Sequence, residues 1–122
     1  MIHIKATIKG EPDVPALVRI IDYADQVFKA SVSIIQEKIK GKIKINANEA
    51  LIAYCHYVIK SIRYGKRASD IKKGASKILS PSDVMIGVPE TLQAITFEVK
   101  LQNRIRKITI KNPMPTSSYV MA

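Results

Sequence analysis

Apolar and polar residues alternate at the start of the chain, with Ile2, Ile4, Ala6 and Ile8 on one side and His3, Lys5, Thr7 and Lys9 on the other. A period of two marks a half-buried strand, and Gly10-Glu11-Pro12 supplies its end. From Asp13 the period lengthens. Leu17, Ile21, Ala24, Phe28, Ser31, Ile35 and Ile39 recur at three- and four-residue steps, widened by Val14, Val18, Val27 and Ile34. That spacing predicts a long helix capped by Asp13 and stopped at Gly41, with an apolar face broad enough for more than one neighbour.

Asn46 with Glu49 three residues later is a capping-box pattern, and Leu51, Tyr54, Cys55, Val58 and Ile62 draw the inner stripe of a second helix that Gly65 closes. A third helix carries Ala68, Ile71, Ala75 and Ile78 inward and Lys72, Lys73 and Lys77 outward. Gly74 lowers its helicity by about 1 kcal/mol relative to alanine. Ser80, Pro81 and Asp83 then read as a helix start: a hydroxyl cap, a proline where the missing N–H costs nothing, and first-turn negative charge. This short helix is expected to end at Gly87, with Pro89 pushing Val88 toward an extended backbone.

From Ala94 the period returns to two. Ile95, Phe97, Val99 and Leu101 share one face, Ile108 and Ile110 lie on a returning strand, and a turn at Gln102-Asn103 joins them. A two-stranded hairpin is marginal in water unless something covers its apolar face. The whole pattern predicts an α+β fold: a small helical bundle followed by a C-terminal antiparallel β-hairpin, with an extra N-terminal strand. Its 122 residues suit one domain, with 1–12 as an N-terminal extension and 113–122, rich in Pro, Ser and Thr, as a tail.

Composition narrows the class. Hydrophobic residues make up 47% and charged residues 25%, which is globular, and the lone Cys55 has no partner for an internal disulfide. No run approaches the roughly eighteen apolar residues of a membrane span, and the alternating start is unlike the continuous apolar core of a signal peptide. A cytoplasmic location without membrane attachment is expected. Twenty Lys and Arg against ten acids give a formal charge of +10, so an acidic partner is expected nearby.

Reactive groups are few and scattered. Cys55 and His56 are neighbours on a helix and point about 100° apart, and no third ligand accompanies them at metal-binding spacing. Burial of Cys55 on an apolar stripe argues against a thiolate nucleophile. Asp13, Glu49 and Asp83 are explained as caps, and Gly41, Gly65 and Gly87 as helix ends rather than a phosphate-binding loop. No catalytic, cofactor-binding or metal-ligating residue is expected in this chain. The basic clusters at 38–44, 60–77 and 100–111 make a small nucleic-acid-binding module the alternative. Against it, Phe28 and Phe97 both sit on core stripes and no recognition motif is present, so the partner is expected to be protein and not nucleic acid.

The string Asp83-Val84-Met85-Ile86-Gly87-Val88-Pro89-Glu90 resembles the gamma subunit of urease, and the likeness runs from about Ile43 to Met114. Ile43-Lys44-Ile45-Asn46 leading into Glu49-Ala50 is similar to the family's Leu-Lys-Leu-Asn followed by Pro-Glu-Ala. The order continues through Gly65-Lys66, Ile78-Leu79-Ser80, the string itself, Glu98, Ile108-Thr109-Ile110 and Asn112-Pro113. Asn48 stands where the family has proline, Arg67 where a serine or threonine cap is usual, and Asn103-Arg104 where the turn is Asp-Gly. Val14-Pro15 is a loose echo of the family's opening Thr-Pro-x-Glu.

The resemblance implies a non-catalytic structural subunit of a nickel-dependent urease, which hydrolyses urea to ammonia and carbamate. It implies alpha and beta subunits as partners in a trimer of heterotrimers, two nickel ions in the alpha subunit, and no cofactor in this chain. Gly87, Val88, Pro89, Glu90, Phe97 and Val99 are the candidate subunit interface, because the hairpin's apolar face and thin local core call for a covering surface.

Overall fold

The computed structural model describes residues 3–8, 26–101 and 103–114, and the backbone of 17–22. Asn46 and Glu49 act as their spacing predicts: the Asn46 carboxamide accepts the Glu49 amide at 2.8 Å, and the Glu49 carboxylate accepts the Asn46 amide at 3.1 Å. They start helix α2 (Ala47–Arg63), which ends where Gly65 takes φ 77° and the Lys66 amide reaches back to the Ser61 carbonyl. Helix α1 (Gln26–Lys40) packs Phe28, Val32 and Ile35 toward α2. Its last turn closes with Lys42, not Gly41, in the left-handed conformation at φ 63°, while the Ile43 amide donates to the Lys38 carbonyl at 2.9 Å.

Helix α3 (Ala68–Ala75) begins at Arg67 without a side-chain cap; Arg67 instead approaches Asp70 at 3.7 Å. Ile71 and Ala75 are buried and Ala68 and Ile78 half-buried, as the sequence spacing predicts. Gly74 has a packing role that propensity does not reveal. A Cβ there would overlap the Tyr57 hydroxyl, which donates to the Ile71 carbonyl at 2.7 Å and ties α2 to α3.

The sheet has four strands in the order β2-β1-β3-β4, all antiparallel: β1 (His3–Ile8), β2 (Leu17–Asp22), β3 (Ala94–Leu101) and β4 (Arg104–Lys111). The N-terminal strand therefore completes the hairpin's sheet, with Ile4 opposite Val99 and Ala6 opposite Phe97. The long helix expected from Asp13 is corrected: its first part is strand β2, with Leu17 opposite Ile8 and Ile21 opposite Ile4. Leu17 and Ile21 are spaced for a helical face, yet the run between them is mostly β-branched, which favours extended backbone once β1 offers a pairing edge. The expected strand end at Gly10-Glu11-Pro12, the Asp13 cap, Ala24 and the tail beyond Met114 lie outside the described residues.

Ile4, Ala6, Ile8, Ile95, Phe97, Val99, Ile108 and Ile110 form the sheet's buried face. Helix α2 lies against β1 and β3, and α3 against β4, so the helices cover the hairpin from within the chain. On the opposite face Thr7, Thr96 and Thr109 lie side by side in register, with Thr96 Oγ1 3.1 Å from Thr109 Oγ1. Lys5, Glu98 and Lys107 form a neighbouring row of alternating charge.

Candidate subunit interface

Two segments distant in sequence meet at one corner. Ile45 and Val84 form a parallel bridge, in which the Ile45 amide donates to the Asp83 carbonyl at 3.0 Å and the Met85 amide donates to the Ile45 carbonyl at 2.9 Å. Lys44 adds a contact from its ammonium to the Ser82 carbonyl at 2.6 Å. Both Ile45 and Val84 are buried, so the bridge anchors the approach to α2 against the approach to β3.

The Asp83 carboxylate accepts the Ser80 amide at 2.9 Å and the Ser80 hydroxyl at 3.1 Å, stabilising a single 3₁₀ turn over Pro81–Asp83. The helix expected from Ser80 stops there, because Val84 is drawn into extended backbone by the bridge to Ile45. Gly87 has the positive φ expected of it, 92°, but it precedes a helix instead of ending one. Val88 is accordingly not extended: it opens the one-turn helix α4 (Val88–Thr91), with Pro89 in the first turn, where a missing N–H removes no intrahelical bond. The Gly87 carbonyl accepts both the Thr91 amide at 3.1 Å and the Thr91 hydroxyl at 2.9 Å.

The arrangement sorts the six candidate residues into two groups. Gly87 and Glu90 are exposed and Pro89 is partly so, whereas Val88, Phe97 and Val99 are buried in the chain's own core. Sequence reasoning passed over the residues that project farthest. Ile86 is fully exposed, Met85 is 47% exposed, and Ile43, two residues before the bridge, is 57% exposed. Exposed aliphatic side chains on a corner held by backbone hydrogen bonds are suited to a protein contact. A signal existed: Met85 and Ile86 are apolar residues in a turn, where polar ones are the rule.

Beneath the corner lies Tyr54, fully buried, whose hydroxyl has no hydrogen-bond partner. Burial, and then the negative charge of Asp83, push its ionisation far above the ordinary tyrosine range. Cys55 is buried, and burial followed by the nearby Lys60 charge lowers the pKa of His56. Among the described residues no group of three or more His, Cys, Asp or Glu could hold a metal ion, and no helix is long and apolar enough to cross a membrane.

Comparison with known proteins bears on the same segments. The family model for the urease gamma subunit matches residues 24–114, which leaves β1 and β2 outside the matched span. The urease subunit gamma of Halalkalibacterium halodurans is 33% identical over 79 residues, covering 65% of this chain and 79% of the relative. The urease subunit alpha of Campylobacter lari is 27% identical over 89 residues, covering 73% of this chain but only 40% of that relative. The segments that converge on the Ile45–Val84 bridge thus lie within the matched span, and the chain belongs to the urease gamma subunit family.

Proposed function

We propose that this chain is a structural, non-catalytic subunit of a urease complex, working in the cytoplasm to hold larger subunits in register. The observation that carries the reading is the wholly exposed Ile86, set between buried Val84 and buried Val88. An aliphatic side chain held out in this way by a fixed loop gains free energy when a partner covers it. Gly87 and Glu90 share that surface, whereas Val88, Phe97 and Val99 are buried in the chain's own core. The partners in this reading are urease alpha and beta subunits, arranged as a trimer of heterotrimers. In this reading urea hydrolysis and the two nickel ions belong to the alpha subunit.

The test is the mass and metal content of the native complex that contains this chain. Co-purification with alpha and beta subunits in equal stoichiometry, and with nickel, supports the proposal. Recovery of the chain free of both subunits, with tight and salt-sensitive retention of RNA or DNA, would replace it with the nucleic-acid reading.

A further inference from the structure

Strand β4 pairs with β3 on one side, and among the described residues no strand or loop hydrogen-bonds to its other side. Alternate residues along 104–111 therefore aim an N–H and a C=O out of the sheet, away from β3. The side chains of β4 say what kind of strand would fit there. Arg104, Arg106, Lys107 and Lys111 lie on it, with no Asp or Glu. Lys107 stands opposite Glu98, but Arg104, Arg106 and Lys111 stand opposite the apolar Leu101, Val99 and Ala94, so the sheet itself does not balance them. Among the described residues no ion pair engages these four cations. Helix α3 packs against β4, and 66–77 adds five exposed Lys and Arg against the single Asp70, so both elements make the field beside the edge positive.

We propose that the β4 edge binds an extended acidic segment of a partner protein, which adds a fifth strand to the sheet. The main-chain ladder supplies affinity, and carboxylates beside Arg104, Arg106 and Lys111 supply selectivity. Cations on an edge strand commonly block unwanted pairing, and here the block has a sign. A second copy of β4 would set Arg and Lys beside Arg and Lys, whereas an acidic strand turns the same charges into favourable cross-strand pairs. Ile105, 66% exposed on this strand, offers an apolar contact for which a purely blocking edge has no use. A nucleic acid fits less well: the one aromatic residue of the hairpin, Phe97, is buried, so the strands present no stacking platform.

The inference uses none of the exposed corner residues and does not rest on the urease reading. Its test takes the full chain and a peptide of alternating Glu and Val, as long as β4 and blocked at both ends. Saturable binding is expected, with slowed hydrogen exchange at alternate amides of 104–111 and no change in β2, the strand at the opposite edge. The same peptide N-methylated at every residue keeps its charge but cannot complete a ladder, and should bind about tenfold more weakly or worse. Arg104→Glu combined with Lys111→Glu, both at exposed positions, should also weaken binding about tenfold. A peptide of alternating Lys and Val should not bind detectably. Absence of saturable binding, equal affinity of the N-methylated peptide, amide shifts confined to α3, or no effect of the double charge reversal would overturn the proposal. So would an oligothymidine that protects the β4 amides where the Glu-Val peptide does not, since that result assigns the edge to nucleic acid.

Discussion

Lys38 and Glu49 join the first two helices: the Lys38 ammonium lies 2.6 Å from one oxygen of the Glu49 carboxylate, whose other oxygen accepts the Asn46 amide and closes the α2 cap. One side chain therefore caps a helix and pins its neighbour. Burial alone would raise the Glu49 pKa, but the hydrogen bonds from Lys38 and Asn46 and the Lys38 charge outweigh it, so the carboxyl stays ionised below the ordinary glutamate range.

A lowered folded-state pKa fixes the sign of a pH effect. The unfolded chain takes up this proton first, near about pH 4.3, so the pair's stabilisation is complete above that value and is lost as pH falls through the lower folded value. Glu49→Gln should cost about 0.5–1 kcal/mol at pH 7, kept small by the exposure of Lys38, and less at pH 3. Urea melts of both proteins at the two pH values measure it. An equal cost at both would mean that the carboxylate charge contributes nothing.

Tyr57 and Gly74 make the second prediction. Helix propensity alone says that Gly74→Ala should stabilise α3 by about 1 kcal/mol. The structure reverses the sign, because the new methyl would displace the Tyr57 hydroxyl from the Ile71 carbonyl. Gly74→Ala should therefore destabilise by about 1–2 kcal/mol. In a Tyr57→Phe background the obstructing oxygen is gone and the ring atoms stand at ordinary contact distance, 3.5 Å and beyond, so the same change should stabilise. A double-mutant cycle that shows simple additivity would rule out the contact.

These two cases show where the chain is legible and where it is not. Helix α2 could be read in full, because Asn46, Glu49 and Gly65 mark its ends and its inner residues keep one period. The hairpin was equally plain, since Ile95, Phe97 and Val99 alternate without interruption. Leu17 to Ile21 satisfied two periods at once, and only the edge of β1, distant from the local pattern, selects the strand. Gly41 marks the end of α1 in the sequence, yet the hydrogen-bonded closure of the helix places the left-handed conformation on Lys42. Val88, Phe97 and Val99 were read as interface because a partner-facing surface and a chain's own core produce the same apolar pattern. The segments that built the candidate corner were both quoted from sequence, but nothing local says that Ile45 and Val84 pair.

Tyr54 carries the third prediction. Its hydroxyl is buried without a partner, so removing it relieves an unmet desolvation cost while leaving the ring in place. Tyr54→Phe should be neutral or stabilising by up to about 1 kcal/mol in urea-melt experiments. A loss of more than that would show that the hydroxyl is hydrogen-bonded in solution, for which a buried water is the natural candidate.

The last prediction separates surface from core at the candidate corner. Ile86 touches solvent on all sides, so Ile86→Asp should leave the urea midpoint of the isolated chain within about 0.5 kcal/mol of the parent. Phe97 is fully buried between Ala6 and Ile108 in the sheet register, and Phe97→Asp buries an unpaired carboxylate in place of a ring, which should cost more than about 4 kcal/mol and abolish folding. Both variants should then fail to co-purify with urease alpha and beta subunits, but for different reasons: the first is soluble and folded by circular dichroism, the second is not. If the Ile86→Asp complex assembles with undiminished yield, the exposed loop is not the contact. The partner surface would then have to be sought elsewhere, starting with the outward-facing Val27 and Ile34 of α1.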